Sequence, residues 1–376
     1  MPGDVPAKPE GIQRALLIAV ERVSGFPNLP QAHIDVIKMK DFLVKFRGYR
    51  PENIVTMMHH NSVSPKLFPS KKNMLREIDV MVKHTSQYDR MFFYYTGHGD
   101  QVTCKHNSES DNKDEAILTY TGKRIIDNIL KEHLVDPLPQ GAKLFALWDC
   151  CHSHTVLDLE HSNCNGLWRR PLKVLSGLAR KTKTLGKRLS SSISMDSWEG
   201  RFSSKDDSQS RNVSSGTDGM DICRVSSPDS YVPPCSFNCP MTPPENQAMA
   251  CVVSLSACKD DQLAYDDNVT GETVTKFFIE YLERNPRPSY RELLSHIREK
   301  VYDITRRRIQ AAGETTTTYH PHHLQRLSEN EVLIEDWRKC DPHNHSDDGN
   351  DTSTLSSQQP SYSSHYRLDM SQIVEL

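Results

Sequence analysis

The chain has 376 residues, of which 36% are hydrophobic, and its formal net charge is −3. That size allows one sizeable core with tails, and the charge excludes a generally basic surface, so we expect no nucleic-acid partner. The first residues lack a signal-peptide layout and no apolar run is long enough to span a membrane, so we expect a cytoplasmic protein without membrane contact. The ten cysteines are expected to be mostly free thiols.

Short apolar runs alternate with amphipathic stretches over the first 150 residues. Strands are predicted at 15–20, 53–58, 90–95, near 116–120 and at 142–148, and helices at 32–48, 71–85 and near 123–134. In the first helix the apolar residues at helical spacing are Ile34, Val36, Ile37, Met39, Phe42, Leu43 and Phe46, with Gly48 as the stop. This alternation predicts an α/β fold, with a mostly parallel central sheet and helices on both faces.

The composition changes after residue 160. Residues 160–248 are rich in Ser, Pro and charge, which predicts a disordered insertion. A strand at 250–258 and helices at 271–284 and 289–308 follow. The sequence thus divides into a tail (1–13), a first domain region (14–159), the insertion, and a second region (249–376) with a polar insertion near 340–358. The terminal stretch "YRLDMSQIVEL" is predicted to close one edge of the sheet.

Reactive side chains follow two of the predicted strands. His98 stands between two glycines after the third strand, and the run 149–151, Asp-Cys-Cys, follows the strand at 142–148. The carboxyl ends of parallel strands share one edge of a sheet, where a thiol could meet the imidazole that a cysteine nucleophile needs. The backbone of Gly99 suits donation to an oxyanion. The pattern predicts a Cys–His site without choosing between Cys150 and Cys151.

Four motifs resemble the metacaspases and caspase-like peptidases. The stretch "FFYYTGHGDQ" resembles their histidine motif, "ALWDCCHSHT" their nucleophile motif, "VVSLSACKDDQLAYD" their small-subunit segment and "LPQAHIDVIKMKDFL" an early helix. The resemblance covers about 14–159, 249–310 and the last twenty residues, and the Gln-Ala-Cys signature of animal caspases is absent. It implies a caspase-like three-layer sandwich, with 14–159 as the large-subunit region and 249–376 as the small-subunit region.

The resemblance also implies the catalytic roles. Cys151 becomes the nucleophile of a cysteine endopeptidase and His98, 53 residues earlier, its base or ion-pair partner. The backbone amides of Gly99 and Cys151 become the oxyanion donors. Cys150 stands where the family usually has Ser, so a Cys150 nucleophile stays open as the alternative, and His152 is a further candidate base.

The same resemblance implies cleavage after Arg or Lys, with Asp35, Thr96 and Asp149 binding the substrate. A carboxylate pair would bind a guanidinium through charge-assisted hydrogen bonds. The structural alternatives are an exposed helix residue for Asp35 and a strand-end cap for Asp149. Two departures from the family pattern, Ala32 and His154, lie near the proposed pocket and predict that it is altered.

The chemistry requires no cofactor, but many metacaspases need calcium. The matching positions are Asp114, Asp127, Asn128 and Asp158, where Asn128 replaces a usual Asp, so calcium dependence stays open. We expect protein or peptide substrates containing Arg or Lys, a monomer, and self-cleavage in the basic stretch 168–189.

The remaining interpretations concern structural zinc and two competing functions. Cys235 and Cys239 have no second matched pair nearby, so the sequence disfavours structural zinc. The competing functions are a caspase-fold interaction protein with little or no activity, and a caspase-like hydrolase of another specificity.

Overall fold

The computed structural model describes residues 11–104, 113–165, 235, 239–258, 271–314 and 358–376. The strands of its main sheet are β1 (Gln13–Ala19), β2 (Ile54–Met58), β3 (Arg90–Thr96), β7 (Lys143–Asp149), β8 (Cys251–Ser256) and β9 (Ser361–Ser364). These six strands lie in the order β2-β1-β3-β7-β8-β9, and only β9 is antiparallel to its neighbour. The predicted mostly parallel α/β sheet is confirmed.

Helices cover both faces of this sheet. The helices are α1 (Gln31–Arg47), α2 (Lys71–Lys83), α3 (Asp127–Leu130, continued by a wider turn over Lys131–Val135), α4 (Val274–Arg284) and α5 (Tyr290–Glu314). Alternate residues of β1 show the layering. Leu17 packs in one cluster with α1, α4 and α5, whereas Leu16 and Ile18 pack in a second cluster with α2 and α3. The predicted three-layer sandwich is therefore confirmed.

Helix α1 buries four of the seven apolar residues that predict it, Val36, Met39, Phe42 and Leu43, but not the other three. Ile34, Ile37 and Phe46 are 44%, 51% and 48% exposed, whereas Asp35 is fully buried. The predicted stop is confirmed, because Gly48 adopts a left-handed φ of 73° and its N–H donates to the carbonyl of Leu43. The helix is thus rotated so that a carboxylate faces the interior.

A smaller antiparallel sheet lies beside the main one and was only partly predicted. It consists of β4 (Gly99–Thr103), β5 (Lys113–Leu118) and β6 (Arg124–Ile126). The helix predicted near 123–134 begins at Asp127, because the preceding three residues pair with β5 as β6. This sheet starts at Gly99, directly after His98, and so fixes the direction in which the chain leaves that histidine.

The edge of the main sheet is closed by a segment other than the predicted one. Strand β9 (Ser361–Ser364) pairs antiparallel with β8, and the apolar tail that follows contributes an isolated bridge between Ser289 and Ile373. The prediction that "YRLDMSQIVEL" closes one edge of the sheet is wrong, because the edge strand ends before this stretch begins. Its apolar side chains instead pack as loop residues against α5 and the neighbouring core.

The predicted insertion 160–248 lies mostly outside the described residues. At its described ends Cys164, Asn165 and Cys239 are at most 7% exposed, and His161 bridges to Ser364. These residues pack with the domain, so disorder stays a prediction for the remainder only. The polar stretch 340–358 also lies outside the described residues, except for Gln358, which is buried. In the part of the chain that is described, no helix is both long and apolar enough to cross a membrane.

Candidate active site

The parallel register of β3 and β7 brings the two predicted motifs together. Thr96 pairs with Asp149 at the ends of these strands, and the N–H of Gly97 donates to the carbonyl of Asp149 at 3.4 Å. His98 and Cys151 each lie two residues beyond this last pair. The histidine and the second cysteine therefore leave the sheet from adjacent strands at the same edge.

Gly99 lies directly against the backbone of Cys151. A Cβ atom added to Gly99 would come within 1.9 Å of the carbonyl oxygen of Cys151. Only glycine allows this approach. The contact joins the first residue of β4 to the turn after β7, so the backbone segments that carry the predicted oxyanion donors lie side by side.

His98 is oriented by the loop that follows β1. Its Nε2 donates to the carbonyl of Pro27 at 2.7 Å, and its ring packs on Phe26 with 5.0 Å between the ring centroids. This bond places the proton on Nε2 and leaves Nδ1 as an acceptor. Burial lowers the pKa of His98, and the bond to Pro27 opposes that shift in part. The imidazole is therefore held neutral near pH 7.

Sequence reasoning missed this partner. Pro27 contributes only its backbone carbonyl, and every residue of the chain has such a group. The loop 20–30 has neither periodicity nor a reactive side chain that would single it out.

The two adjacent cysteines differ in accessibility. Cys150 is 1% exposed, whereas Cys151 is partly exposed. Burial raises the pKa of the Cys150 thiol well above its usual value, and the neighbouring Cys258, Cys151 and Asp149 add to the rise. A thiol that is held protonated and away from solvent is a poor nucleophile. The geometry therefore favours Cys151 as the reactive thiol of the pair.

The turn after β7 is backbone-strained and held by β9. His152 has a φ of 49°, which non-glycine residues rarely adopt. Two residues later the Nδ1 of His154 forms a 2.7 Å hydrogen bond with the Oγ of Ser361. Ala32, the other departure from the family pattern, lies in the first turn of α1, and its side chain is buried in the core. His154 thus serves to attach this turn to the edge strand.

Both predicted pocket carboxylates meet the first turn of α4. The Oγ1 of Thr273 donates to Asp35 at 2.7 Å, and the N–H and Oγ1 of Thr275 donate to Asp149 at 2.9 and 2.6 Å. Asp35 is fully buried and Asp149 is 8% exposed, so the alternative of an exposed Asp35 is wrong. Sequence reasoning missed both threonines, although "ETVT" has the pattern of a helix start.

A buried tyrosine lies within the electrostatic influence of both carboxylates. The hydroxyl of Tyr94 hydrogen-bonds to the Oγ1 of Thr275 at 2.7 Å. Burial and then the charges of Asp35 and Asp149 raise the pKa of Tyr94 well above its usual value. Thr96, which is 6% exposed, also hydrogen-bonds to this tyrosine. Thr96 and Asp149 therefore share one buried hydrogen-bond network through Tyr94 and Thr275, and Asp35 adds its negative charge nearby.

The predicted calcium residues form a second acidic cluster, beside β5. The carboxylate of Asp127 accepts from the N–H groups of Glu115 and Asn128 at 2.8 and 2.6 Å. Its pKa is raised to about 9, chiefly by burial and then by Asp158, with Asp114 and Glu115 adding to the effect. Glu115, which was not predicted, is 1% exposed and belongs to the same cluster. Asn128 meets the cluster through its backbone.

The donors of this cluster suit a hard cation. Asp114 has an oxygen, Oδ1, that is buried and has no hydrogen-bond partner among the described residues. Carboxylate oxygens are the ligands that Ca²⁺ prefers, and a cation would relieve the mutual repulsion that raises the pKa of Asp127. The residues present therefore fit the metal that the motifs indicate.

Comparisons with known proteins find similarity to metacaspases. Residues 13–160 match the family model of the metacaspase peptidase C14 domain. Over 308 residues the chain is 28% identical to Metacaspase-1A of Aspergillus oryzae, and over 299 residues it is 30% identical to Metacaspase-1 of Schizosaccharomyces pombe. Each match covers 77% of this chain, and the chain spans 65% and 64% of the two relatives' lengths.

Among solved structures, Caspase-1 of Spodoptera frugiperda superposes with a TM-score of 0.38 at 9% identity, over 80% of this chain and 82% of that one. The motifs, the register of β3 and β7 and the family match all concern the same stretch. That stretch, residues 13–160, is similar to the metacaspase peptidase C14 domain.

Proposed function

We propose that this protein is a cysteine endopeptidase of metacaspase type, with Cys151 as the nucleophile and His98 as its base. The observation that carries the proposal is the pairing of Thr96 with Asp149, which delivers the two residues from adjacent strand ends with Gly99 packed on Cys151. The burial of Cys150 leaves Cys151 as the accessible thiol.

The hydrogen bond to Pro27 defines how His98 would act. With Nε2–H committed to that carbonyl, Nδ1 accepts the proton of the Cys151 thiol as sulfur attacks the peptide carbonyl. The backbone N–H groups of Gly99 and Cys151 stabilise the resulting oxyanion. His98 then gives its proton to the leaving amine, and the acyl group stays on sulfur. Water, deprotonated by His98, attacks the thioester and releases the acid and the thiol.

The negative network below the nucleophile supports cleavage after Arg or Lys. Asp35 and Asp149 are both withdrawn from water, and a buried negative field attracts a cationic side chain more strongly than a solvated one does. The threonines of α4 each satisfy one oxygen of these carboxylates, and so position them. A lysine or arginine would balance charges that an apolar side chain leaves uncompensated.

Calcium would act away from the chemistry. Asp114, Glu115, Asp127 and Asp158 would hold it, and the ion would supply positive charge that lets all of these groups ionise together. Because Glu115 belongs to β5, which pairs with β4, this would fix the strand that begins at Gly99. We further propose self-processing within 168–189, protein or peptide substrates and a monomeric enzyme, on the family resemblance alone.

Two variants of the adjacent cysteines test the assignment. Cys151→Ala should abolish cleavage of an Arg-containing fluorogenic peptide, whereas Cys150→Ser should retain most of it. Labelling by iodoacetamide, located by peptide mass spectrometry, should be fast at Cys151 in the folded enzyme and slow at Cys150. Loss of activity in Cys150→Ser with a reactive, dispensable Cys151 would overturn the assignment. A wild type that labels at Cys151 but cleaves no peptide would indicate an inactive interaction protein instead.

The specificity has its own test. Asp35→Asn should lower kcat/KM for Arg peptides by about thirtyfold or more, because the pocket loses a buried charge that pairs with the substrate. Its iodoacetamide labelling should stay as in the wild type. Matched Arg, Lys, Asp and Leu peptides would be compared, and preference of the wild type for Asp or Leu would contradict the acidic pocket.

A further inference from the structure

The two ends of the segment between β7 and β8 converge on a cluster of three cysteines and one histidine. His161 and Cys164 come from the chain that follows the nucleophile turn, and Cys235 and Cys239 from the chain that leads back towards β8. One ligand atom from each of the four lies within 4.8 Å of every other. Cys164 and Cys239 are buried and the other two are half-buried, so the cluster lies just below the surface. We propose that this cluster is a structural zinc site.

The spacing of the atoms fits a tetrahedral ion. With Zn–S bonds of about 2.3 Å and Zn–N bonds of about 2.0 Å, ligand atoms of a tetrahedral site stand roughly 3.5–3.8 Å apart. The Sγ of Cys164 lies 3.3 Å from the Nδ1 of His161. The other pairs of ligand atoms are at most 4.8 Å apart, and small side-chain rotations would bring them to the distances of a tetrahedral site. Three sulfurs and one imidazole nitrogen are an established ligand set for structural zinc.

The four residues form two closely spaced pairs, as zinc ligands do. His161 and Cys164 are separated by two residues, and Cys235 and Cys239 by three. Sequence reasoning rejected zinc because Cys235 and Cys239 have no second pair nearby. The second pair exists, but it lies on the far side of a 71-residue separation between Cys164 and Cys235. Only the fold brings it back.

The backbone is already arranged around one sulfur. The N–H of Cys164 donates to the Sγ of Cys235 at 3.4 Å, and the N–H groups of Asn163 and Ser162 are further donors to it. Backbone amides directed at a sulfur stabilise the thiolate form, which is the form that binds a metal. A disulfide would join two of the three sulfurs and would not account for the third sulfur and the imidazole in the same cluster, whereas a metal ion would bind all four.

A second layer of hydrogen bonds fixes the ligands. The amide of Asn165, which is 1% exposed, donates to the carbonyl of His161 at 2.6 Å and to the Oγ of Ser364 at 2.7 Å, and it accepts from the N–H of Leu368 at 2.9 Å. Arg367 donates to the carbonyl of Cys239. Such outer contacts hold metal ligands in place, and here they tie the cluster to β9 and the segment after it.

The net charge of the proposed zinc site is offset by a neighbouring arginine. Zinc binding would displace the three thiol protons to solvent, so that three thiolates, a neutral imidazole and Zn²⁺ carry a net charge of −1. The guanidinium of Arg367 beside Cys239 offsets that charge. The ion would have no open position for substrate, so its role is to join the two chain segments at their base.

The test uses full-length Cys151→Ala protein, so that the catalytic thiol binds no metal. This protein, purified under reducing conditions, should contain about one zinc ion per chain as measured by inductively coupled plasma mass spectrometry. The metal-free protein should take up about one Co²⁺ with the absorption of a tetrahedral thiolate site. Added Cys235→Ser and Cys239→Ser changes should each cause loss of most of the zinc. Cys251→Ser is the matched control, because Cys251 is also half-buried but lies in β8, outside the cluster, and it should keep the metal.

Folding is monitored separately by circular dichroism and thermal melting. A chelator selective for zinc over calcium should lower the melting temperature of the protein with the cluster intact and leave that of Cys235→Ser unchanged. A folded protein that contains no zinc and takes up neither zinc nor cobalt after reduction would overturn the proposal. So would a Cys164–Cys235 disulfide found by mass spectrometry together with no metal uptake, or equal zinc content in Cys235→Ser, Cys239→Ser and the control.

Discussion

The contact between Gly99 and Cys151 gives a sharp prediction for Gly99→Ala. The added Cβ would stand 1.9 Å from the Cys151 carbonyl oxygen, whereas real Cβ atoms essentially never come closer than 3.0 Å. One of the two backbone segments must therefore move by about 1.1 Å, the difference between these distances. Neither is a flexible side chain, so the displacement falls on the segments that carry the proposed base, the proposed nucleophile and both proposed oxyanion donors.

The magnitude follows from the size of that displacement. A shift of about 1 Å in a catalytic group can reduce the rate by about a hundredfold, which corresponds to ~2.7 kcal/mol of transition-state stabilisation. The overlap itself should also lower the free energy of unfolding by about 1–3 kcal/mol, as overpacking does elsewhere. We expect kcat/KM on an Arg peptide to fall far more than the folded fraction does.

Gly11→Ala separates these two effects. Its added Cβ would meet the carbonyl oxygen of Tyr88 at 1.7 Å, an overlap of the same kind, but Gly11 precedes β1 at the opposite end of the sheet. Urea denaturation and kcat/KM would be measured for both variants and the wild type. Equal activity per folded molecule in Gly99→Ala and Gly11→Ala would refute the placement of Gly99 beside the reacting groups.

Three further predictions follow from the hydrogen bonds and pKa shifts. Thr275→Val removes the hydroxyl that donates to buried Asp149, so it should lower the free energy of unfolding by about 1–3 kcal/mol and weaken cleavage of Arg peptides. Thr275→Ser should restore both the stability and the cleavage. A Thr275→Val variant with unchanged stability and cleavage would contradict the hydrogen-bond network. The pKa of Asp127 is raised from 3.8 to about 9, so without calcium the folded state keeps a proton that the unfolded state loses, and stability should fall as the pH rises between these values. Asp158→Asn should make that loss of stability with pH smaller, by ~1 kcal/mol at pH 8, and should reduce the stabilisation by added calcium. The free energy of unfolding would be measured by urea denaturation at several pH values with a chelator present. An unchanged dependence on pH in Asp158→Asn would be evidence against the cluster. Burial lowers the pKa of His98 below 6.5, so the acid limb of kcat/KM should have its midpoint below pH 6.5, and a midpoint above that value would disprove a buried neutral base.

The sequence predicted the parts of the fold whose residues carry their own signal. Apolar runs gave the five parallel strands, and the glycine-flanked histidine gave one strand end of the site. Strand β9 was not predicted because its sequence is Ser-Tyr-Ser-Ser. Its residues are buried by pairing with β8, and the hydroxyls of Ser361 and Ser364 form hydrogen bonds that periodicity does not encode. Because serine is mostly exposed in proteins, composition alone indicates no buried strand there.

Contacts between distant segments were beyond sequence reasoning. The burial of Asp35 depends on the rotation of α1, which the first turn of α4 sets through a hydroxyl 238 residues away. The carbonyl of Pro27 is identical to any other carbonyl until the fold places it at His98. The cysteine–histidine cluster likewise exists only once β9 and both ends of the intervening segment are in position.

The pairing of β7 with β8 has a consequence for a chain that is cut. Six consecutive residue pairs, from Lys143 with Cys251 to Trp148 with Ser256, join the two strands, and the indole of Trp148 donates to the Oγ of Ser254 at 3.0 Å. No covalent continuity between these strands is needed to keep those bonds. A nick between residues 166 and 234 would therefore yield two fragments that complement each other as one particle. Gel filtration would show a single species of unchanged size, and denaturing electrophoresis would show two.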